Sequence, residues 1–400
     1  MRLGGGGFVG LVVILMLRSV CGGAELTVMM GLGETEWRVM RQRIFPPFEQ
    51  QHGVRIRGIQ AEAVDAVKKL VALHRAGRMD VDLLTQDVLY LAPLVRAGVM
   101  EDLSAYQDAI PPTALDSLVP VGAFDGTLYF MPYRPNVQIV YYHAEKFAAY
   151  GLQPPQTWEE LLAVAQRFHA AEGIGRVLLQ GTLDSNTALH AVEFIWAAGG
   201  DPLILNDRGS VEAFAFLQQL APYLAPETRR ANWNTTNAFL AVESVYLARN
   251  WPFGVQLIVR EAGKTQIKAY HGWRGPVREA HVLGGEMIGI PKGAAHRELA
   301  LDLMRYLMSR PVQEALVSSL GWPSFRTDAY SAVEAWQAPY FTAVREALAH
   351  AQPRPSVPYW NEVNRALVGA FRDIVYNGEP VQAALERYHR QVQQARQRAR

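Results

Sequence analysis

The residues with the most usable chemistry in this sequence are aromatics and charges near the ends of strand-like runs. Arg249-Asn250-Trp251-Pro252-Phe253-Gly254 follows the apolar run Val245-Tyr246-Leu247-Ala248, which puts Trp251 at a strand end. The proline after it ends the strand and can open a helix, since its missing N–H would be unpaired there anyway. An aromatic fixed at such a turn offers a flat apolar face to a ligand; turned inward, it caps the core of a sheet. The other candidate faces are Phe253, Trp322 and Tyr359, and the candidate polar groups are Glu34, Glu36, Asp87, Arg134, Asn136 and Arg354. A pyranose has one apolar face and a rim of hydroxyls. Trp and Tyr suit the face, while carboxylates and guanidinium groups suit the rim, where charged hydrogen bonds are shorter and stronger. Taken singly, an aromatic is more often core and a charge more often surface. Placement at expected strand ends is what raises these residues above that background.

Catalytic signatures are missing. The ten histidines are scattered, and no H-E-x-x-H, G-x-S-x-G, Walker loop or C-x-x-C occurs. No motif therefore asks for a metal or a cofactor, and none is expected. Glu34, Glu36, Asp87 and Glu286 could still supply the two carboxylates of a glycoside hydrolase, so a secreted hydrolase stands as the alternative to a binding protein. Charge excludes other partners. The chain carries +1, and loss of Met1–Cys21 with Arg2 and Arg18 leaves 37 basic against 38 acidic residues. That balance attracts neither nucleic acid nor an anionic membrane.

The elements that must position these residues read as α/β. Leu26–Met30 is a strand ending at Gly31-Leu32-Gly33, with a helix from Glu34 that Pro46-Pro47 interrupts. Val54–Arg57 alternates as a half-buried strand, Val64, Val67, Leu70 and Val71 share a helical face, and Val81–Leu84 is a third strand. This alternation implies a mainly parallel sheet with ligand loops at the strands' C-terminal ends, where Glu34, Glu36 and Asp87 fall. A second unit begins at Thr157-Trp158-Glu159-Glu160, a capping box, with helices near 158–171, 187–198 and 211–220, the last capped by Ser210. From Ala295 onward the chain reads as almost all helix. Four hundred residues suit two lobes, and the interleaving of the two units makes both discontinuous.

The N-terminus reads as an export signal over residues 1–24. Arg2 precedes a glycine run and the apolar stretch Phe8–Leu17, shorter than the roughly 20 residues of a membrane span. Cleavage before Cys21 would make a lipoprotein, whereas Gly22-Gly23-Ala24 offers an ordinary small-residue site. Cys21 is the only cysteine, so the mature fold has no disulfide.

The mature chain resembles the solute-binding proteins of carbohydrate ABC importers, most closely the trehalose/maltose-binding type. The resembling segments run in order from Asp87-Val88 through Ala97-Gly98-Val99, then Tyr141-Tyr142 and Pro155-Gln156-Thr157-Trp158-Glu159-Glu160-Leu161. They continue with Ala198-Gly199-Gly200, Arg249–Phe253, Leu283-Gly284-Gly285 with Ile288-Gly289-Ile290, Leu320-Gly321-Trp322, and Pro353-Arg354-Pro355 with Val357-Pro358-Tyr359. The resemblance implies a two-lobed periplasmic-binding-protein fold of type II, with lobes 25–134 plus 283–325 and 135–282 plus 326–400 closing on a sugar. It implies a monomer outside the cytoplasm, periplasmic or lipid-anchored, that delivers its sugar to membrane permease subunits. Carried over by position, Trp251 is the stacking aromatic, Arg354 a hydroxyl-binding guanidinium, and Asp87 with the Glu34/Glu36 loop are acceptors. Arg134, Asn136 and Asn186 fall at ligand-contact positions, as do Gly285 and Glu286. Three departures stand out: Glu286 where the type usually has Trp, Phe253 for Tyr, and Arg134-Pro135-Asn136 where a tyrosine and an aspartate are usual. One stacking face is then lost. The expected ligand is either a glucoside with a smaller, more polar second half, such as glucosylglycerol, or still trehalose, maltose or sucrose.

Overall fold

The computed structural model describes residues 24–331 and 333–399. The export segment and Cys21 lie outside the described residues. Strands β1 (Glu25–Met30), β2 (Arg55–Gln60) and β3 (Leu83–Asp87) pair in parallel, with β1 in the middle. The helix Ala63–Arg75 connects β2 to β3 and buries Ala66 and Leu70 beneath it. After a short hairpin, β4 (Ala123–Phe124) and β5 (Thr127–Leu128), come β6 (Met131–Asn136) and β7 (Ile139–His143). The second sheet has the order β10-β7-β9-β8, from β8 (Val177–Leu178), β9 (Leu247–Asn250) and β10 (Ile267–Tyr270).

Strand β11 (His281–Gly289) returns to the first sheet. Its first three residues pair with β12 (Ala351–Pro353), and its remainder lies antiparallel between β3 and β6. The first sheet is thus parallel over β1–β3 and between β11 and β12, and the antiparallel pairing of β11 with β3 and β6 makes it mixed. The chain passes between the sheets at Val137-Gln138, and Val282 on β11 donates its N–H to Glu193 of the second lobe at 2.9 Å. Two α/β lobes joined by crossing segments result.

Local chemistry explains several element ends. Thr157 caps the helix Trp158–Glu172 by accepting the Glu160 N–H at 3.3 Å, but the Glu160 carboxylate accepts the Gln156 N–H at 2.6 Å rather than that of Thr157, so only half of the expected capping box forms. The helix Arg208–Leu220 begins earlier than its apolar pattern suggests. Asp207 is its cap and accepts the Ser210 N–H at 2.9 Å, so Ser210 is the capped residue, not the cap. Pro46-Pro47 likewise does not break the first helix. A π turn, Met40–Ile44, widens the backbone just before it, and the prolines occupy the first turn of Phe45–His52, where no N–H is needed.

The helix Ser185–Ala197 is buried along almost its whole length. It carries His190, whose imidazole burial pushes down to about 4, opposed by the Glu193 carboxylate and reinforced by Arg249. The unfolded chain takes up this proton first, near the usual value of about 6.5. Stability from neutral His190 is therefore complete above that value and is lost as pH falls toward 4. Relative to His190→Gln, the wild type should lose about 3 kcal/mol of unfolding free energy between pH 7 and pH 4. Urea titrations at both pH values check this, and a parallel pH dependence in the two proteins would refute it.

Candidate functional site

Trp251 stands at the end of β9, and its position is built from behind. Every residue of β9 is buried, including Arg249 and Asn250. Asn250 donates to the Trp233 carbonyl at 2.8 Å and to Asn237 Oδ1 at 2.7 Å, and accepts from Gln180 Nε2 at 3.0 Å. Arg249 pairs with Glu193 and lies over the Trp273 ring at 4.7 Å. Tyr141 on β7 donates its hydroxyl to the Trp251 carbonyl at 2.9 Å. The turn that presents the indole is thus fixed by backbone and neighbouring contacts, leaving the ring half-buried and partly accessible. Gly284 on β11 lets the ring come close, since a Cβ there would lie 3.1 Å from it.

Two residues further along β11, Glu286 pairs directly across with Arg134 on β6 and with Asp87 on β3. Three charged residues therefore occupy one rung of the sheet. Gly285 between them has φ +104°, and a Cβ there would meet the Arg134 carbonyl at 2.0 Å, so only glycine fits. Arg134 Nη1 donates to Glu36 Oε1 at 3.1 Å, and its Nη2 lies 3.2 Å from Glu286 Oε1. Trp322 Nε1 donates to the same Glu36 oxygen at 2.8 Å, and the Arg134 guanidinium covers the Trp322 ring at 4.1 Å.

Burial sets the electrostatics of this rung. It pushes the Glu286 carboxyl up, with Arg134 pulling it back and Asp87 adding to the rise. It pushes Asp87 up as well, opposed by Arg354, the Leu89 N–H and Arg134. Arg354 is lowered by burial, with Asp87 the largest opposing charge. For Arg134 burial works against the cation, but Glu286 and Glu36 outweigh it and raise its pKa. Several polar atoms remain without a partner among the described residues: Arg134 Nε, Glu286 Oε2 and Arg354 Nε. Buried groups of this kind cost free energy unless something hydrogen-bonds them, and a hydroxylated ligand can do so.

The sequence candidates divide accordingly. Glu36, Asp87, Arg134, Glu286, Trp322 and Arg354 form one charged cluster, and Trp251 and Gly285 join it through β11. Glu34 is exposed at the start of the first helix, Glu34–Val39. Asn136 is half-buried at the end of β6, with its Oδ1 accepting the Val137 N–H at 3.1 Å. Asn186 is buried and donates to Asp184 at 2.9 Å. Phe253 turns to an edge contact with Trp233, centroids 5.7 Å apart. Tyr359 is buried core. Sequence reasoning missed Tyr90, whose hydroxyl burial and Asp87 push up beside Arg354, and the network under Arg249 and Asn250. Two polar residues continuing an apolar strand run were the available signal for that network.

The model of one protein family, "Bacterial extracellular solute-binding protein", matches residues 44–343, three quarters of the chain. A "Probable ABC transporter-binding protein" of Deinococcus radiodurans is 25% identical over 319 residues, 74% of this chain and 75% of that protein. Among solved structures, maltose-bound MalE3 of T. maritima superposes with a TM-score of 0.79 at 23% identity, over 93% of this chain and 99% of that one. The sugar-binding protein MalE of Xanthomonas citri gives 0.82 at 16% identity, over 93% and 97%. At these identities the structural likeness is one of fold: two lobes of α/β type. The family match covers both lobes, and the chain belongs to the bacterial extracellular solute-binding proteins.

Proposed function

We propose that this chain is the extracytoplasmic sugar-binding component of an ABC importer. Its ligand is a glucose-bearing disaccharide or glucoside, within the range trehalose, maltose, sucrose and glucosylglycerol. The observation that carries this reading is Trp251, half-buried against Gly284, next to a charged rung that still has unpaired donors and an unpaired acceptor. The relatives support it by what their names say they do: one is an ABC transporter-binding protein, and two solved structures are maltose- or sugar-binding. No helix among the described residues is long and apolar enough to cross a membrane.

The mechanism is hinge closure without chemistry. One lobe, 25–134 with 283–325, brings Glu36, Asp87, Arg134, Glu286 and Trp322. The other, 135–282 with 326–400, brings Trp251 and Arg354. A sugar touching both favours the closed state by its differential contacts, and closure offers surfaces of both lobes to the permease. The protein works as a monomer in the periplasm or on a lipid anchor. Micromolar affinity needs about −8 kcal/mol, within reach of one stacked ring and a few charge-assisted hydrogen bonds after ordering costs.

Binding rather than hydrolysis also fits the carboxylates. Glu36 and Glu286 both face the Arg134 cation, and Asp87 Oδ1 accepts the Leu89 N–H at 2.8 Å. Incubation with each of the four solutes should return the solute intact while small-angle scattering shows a smaller radius of gyration. Released monosaccharide would favour the hydrolase instead. Arg354→Ala should weaken binding by roughly 1.5–3 kcal/mol, the range for a hydrogen bond to a charged group. Unchanged affinity by calorimetry would remove Arg354 from the site.

A further inference from the structure

Trp322 has the residue type of a second sugar platform, but its face is taken. The Arg134 guanidinium sits over the ring at 4.1 Å, Tyr133 meets it edge-on at 6.3 Å, and the residue is 5% exposed. Two carboxylates hold the guanidinium there: Glu36 Oε1 at 3.1 Å and Glu286 Oε1 at 3.2 Å. The same Glu36 oxygen accepts the Trp322 indole N–H at 2.8 Å. Four side chains from four separate segments thus interlock, and moving any one unpairs another. A planar guanidinium between two carboxylates and an aromatic face is pre-organised, and it is desolvated here, which strengthens both kinds of contact.

We propose that Arg134 is a specificity-determining residue, a built-in occupant of the Trp322 face that limits the ligand to one stacked pyranose bearing a small polyol. This rests on the sugar-binding reading of the same site. The geometry along β11 supports it. Gly284 carries the Trp251 ring, and Glu286, two residues on, carries Arg134. That step is about 6.6 Å in a strand, so a ring stacked on Trp251 already adjoins the charged cluster. A second pyranose reaching toward Trp322 would bring its apolar face to a ring that Arg134 already covers. The cluster offers Arg134 Nε as a donor and Glu286 Oε2 as an acceptor, both buried and without a partner among the described residues. The hydroxyls of an open-chain polyol both donate and accept, and they can turn to meet the two atoms. Rejection of two-ring sugars follows from the same groups: they would be covered by ring carbons and left unpaired.

The test compares dissociation constants for glucosylglycerol and for maltose and trehalose by calorimetry. Wild type should favour glucosylglycerol at least tenfold. Arg134→Ala with Glu286→Gln uncovers Trp322 without stranding a buried charge on β11, and should shrink that preference at least tenfold, chiefly by tighter disaccharide binding. Adding Trp322→Ala to the pair should remove the gain. Arg134→Lys, which keeps the charge but loses the planar fork, should shift the preference the same way by at least threefold, even if the double variant fails to fold. A wild type that binds disaccharides as well as glucosylglycerol overturns the inference, as does a preference unchanged in folded variants. If wild type binds none of the three while folded, the sugar-binding reading itself fails. If it binds them through Trp251 but Arg134 is indifferent, only the inference about Arg134 fails.

Discussion

Trp251→Ala should weaken sugar binding by about 2–4 kcal/mol, roughly 30- to 1,000-fold, with cooperative unfolding retained. The size follows from the contrast between the two tryptophans: Arg134 covers the Trp322 ring, and no cation covers that of Trp251 among the described residues. Retention of the fold follows from how the turn is held. Tyr141 bonds the Trp251 carbonyl, not the indole, and Asn250 is anchored on three sides. Removing the ring opens space against Gly284 without breaking those bonds. Calorimetry for affinity and denaturant titration for cooperativity read the two effects separately. An affinity within threefold of wild type would take the ring out of the site and return Trp251 to a packing role.

The largest effect on stability is expected from Glu193→Ala. Glu193 and Arg249 are each 2% exposed. One carboxylate oxygen pairs with Arg249, and the other accepts the Val282 N–H at 2.9 Å. The substitution therefore strands a buried cation and a buried donor on the crossing strand together, and should cost about 3–5 kcal/mol. Replacing both partners, Glu193→Leu with Arg249→Met, should recover most of that loss, because no charge is then left unpaired. Urea midpoints at constant slope give the comparison. A loss under about 1 kcal/mol for Glu193→Ala would show that water reaches the pair. The consequence for binding is indirect, since Arg249 and Asn250 are the footing of Trp251.

Much of this architecture was legible because it depends on local pattern. Period-two and period-3.6 runs placed β1, β2, the helix Ala63–Arg75 and the capped helix at Thr157 close to where they lie. The strand end at Trp251 was legible from one proline. What local pattern could not give was the partner across the cluster. Glu36, Arg134, Glu286 and Trp322 come from four distant segments, with Glu36 and Trp322 separated by 286 positions. Trp322 and Arg134 read separately as a sugar face and a rim charge, yet each occupies the other. Glu34 and Glu36 read as a pair, but residues two apart on a helix point in nearly opposite directions, so only Glu36 turns inward. The mixed sheet was hidden for a similar reason: β11 reads by pattern as a strand with a glycine break, and its direction is set by where the chain returns from.

The most direct check of the central claim is a calorimetric titration of the mature chain with trehalose, maltose, sucrose and glucosylglycerol. At least one glucose-bearing solute should give saturable heat at one site per chain, with micromolar affinity, and be recovered unchanged. No saturable binding to any of the four, or recovery of a split sugar, would contradict the account.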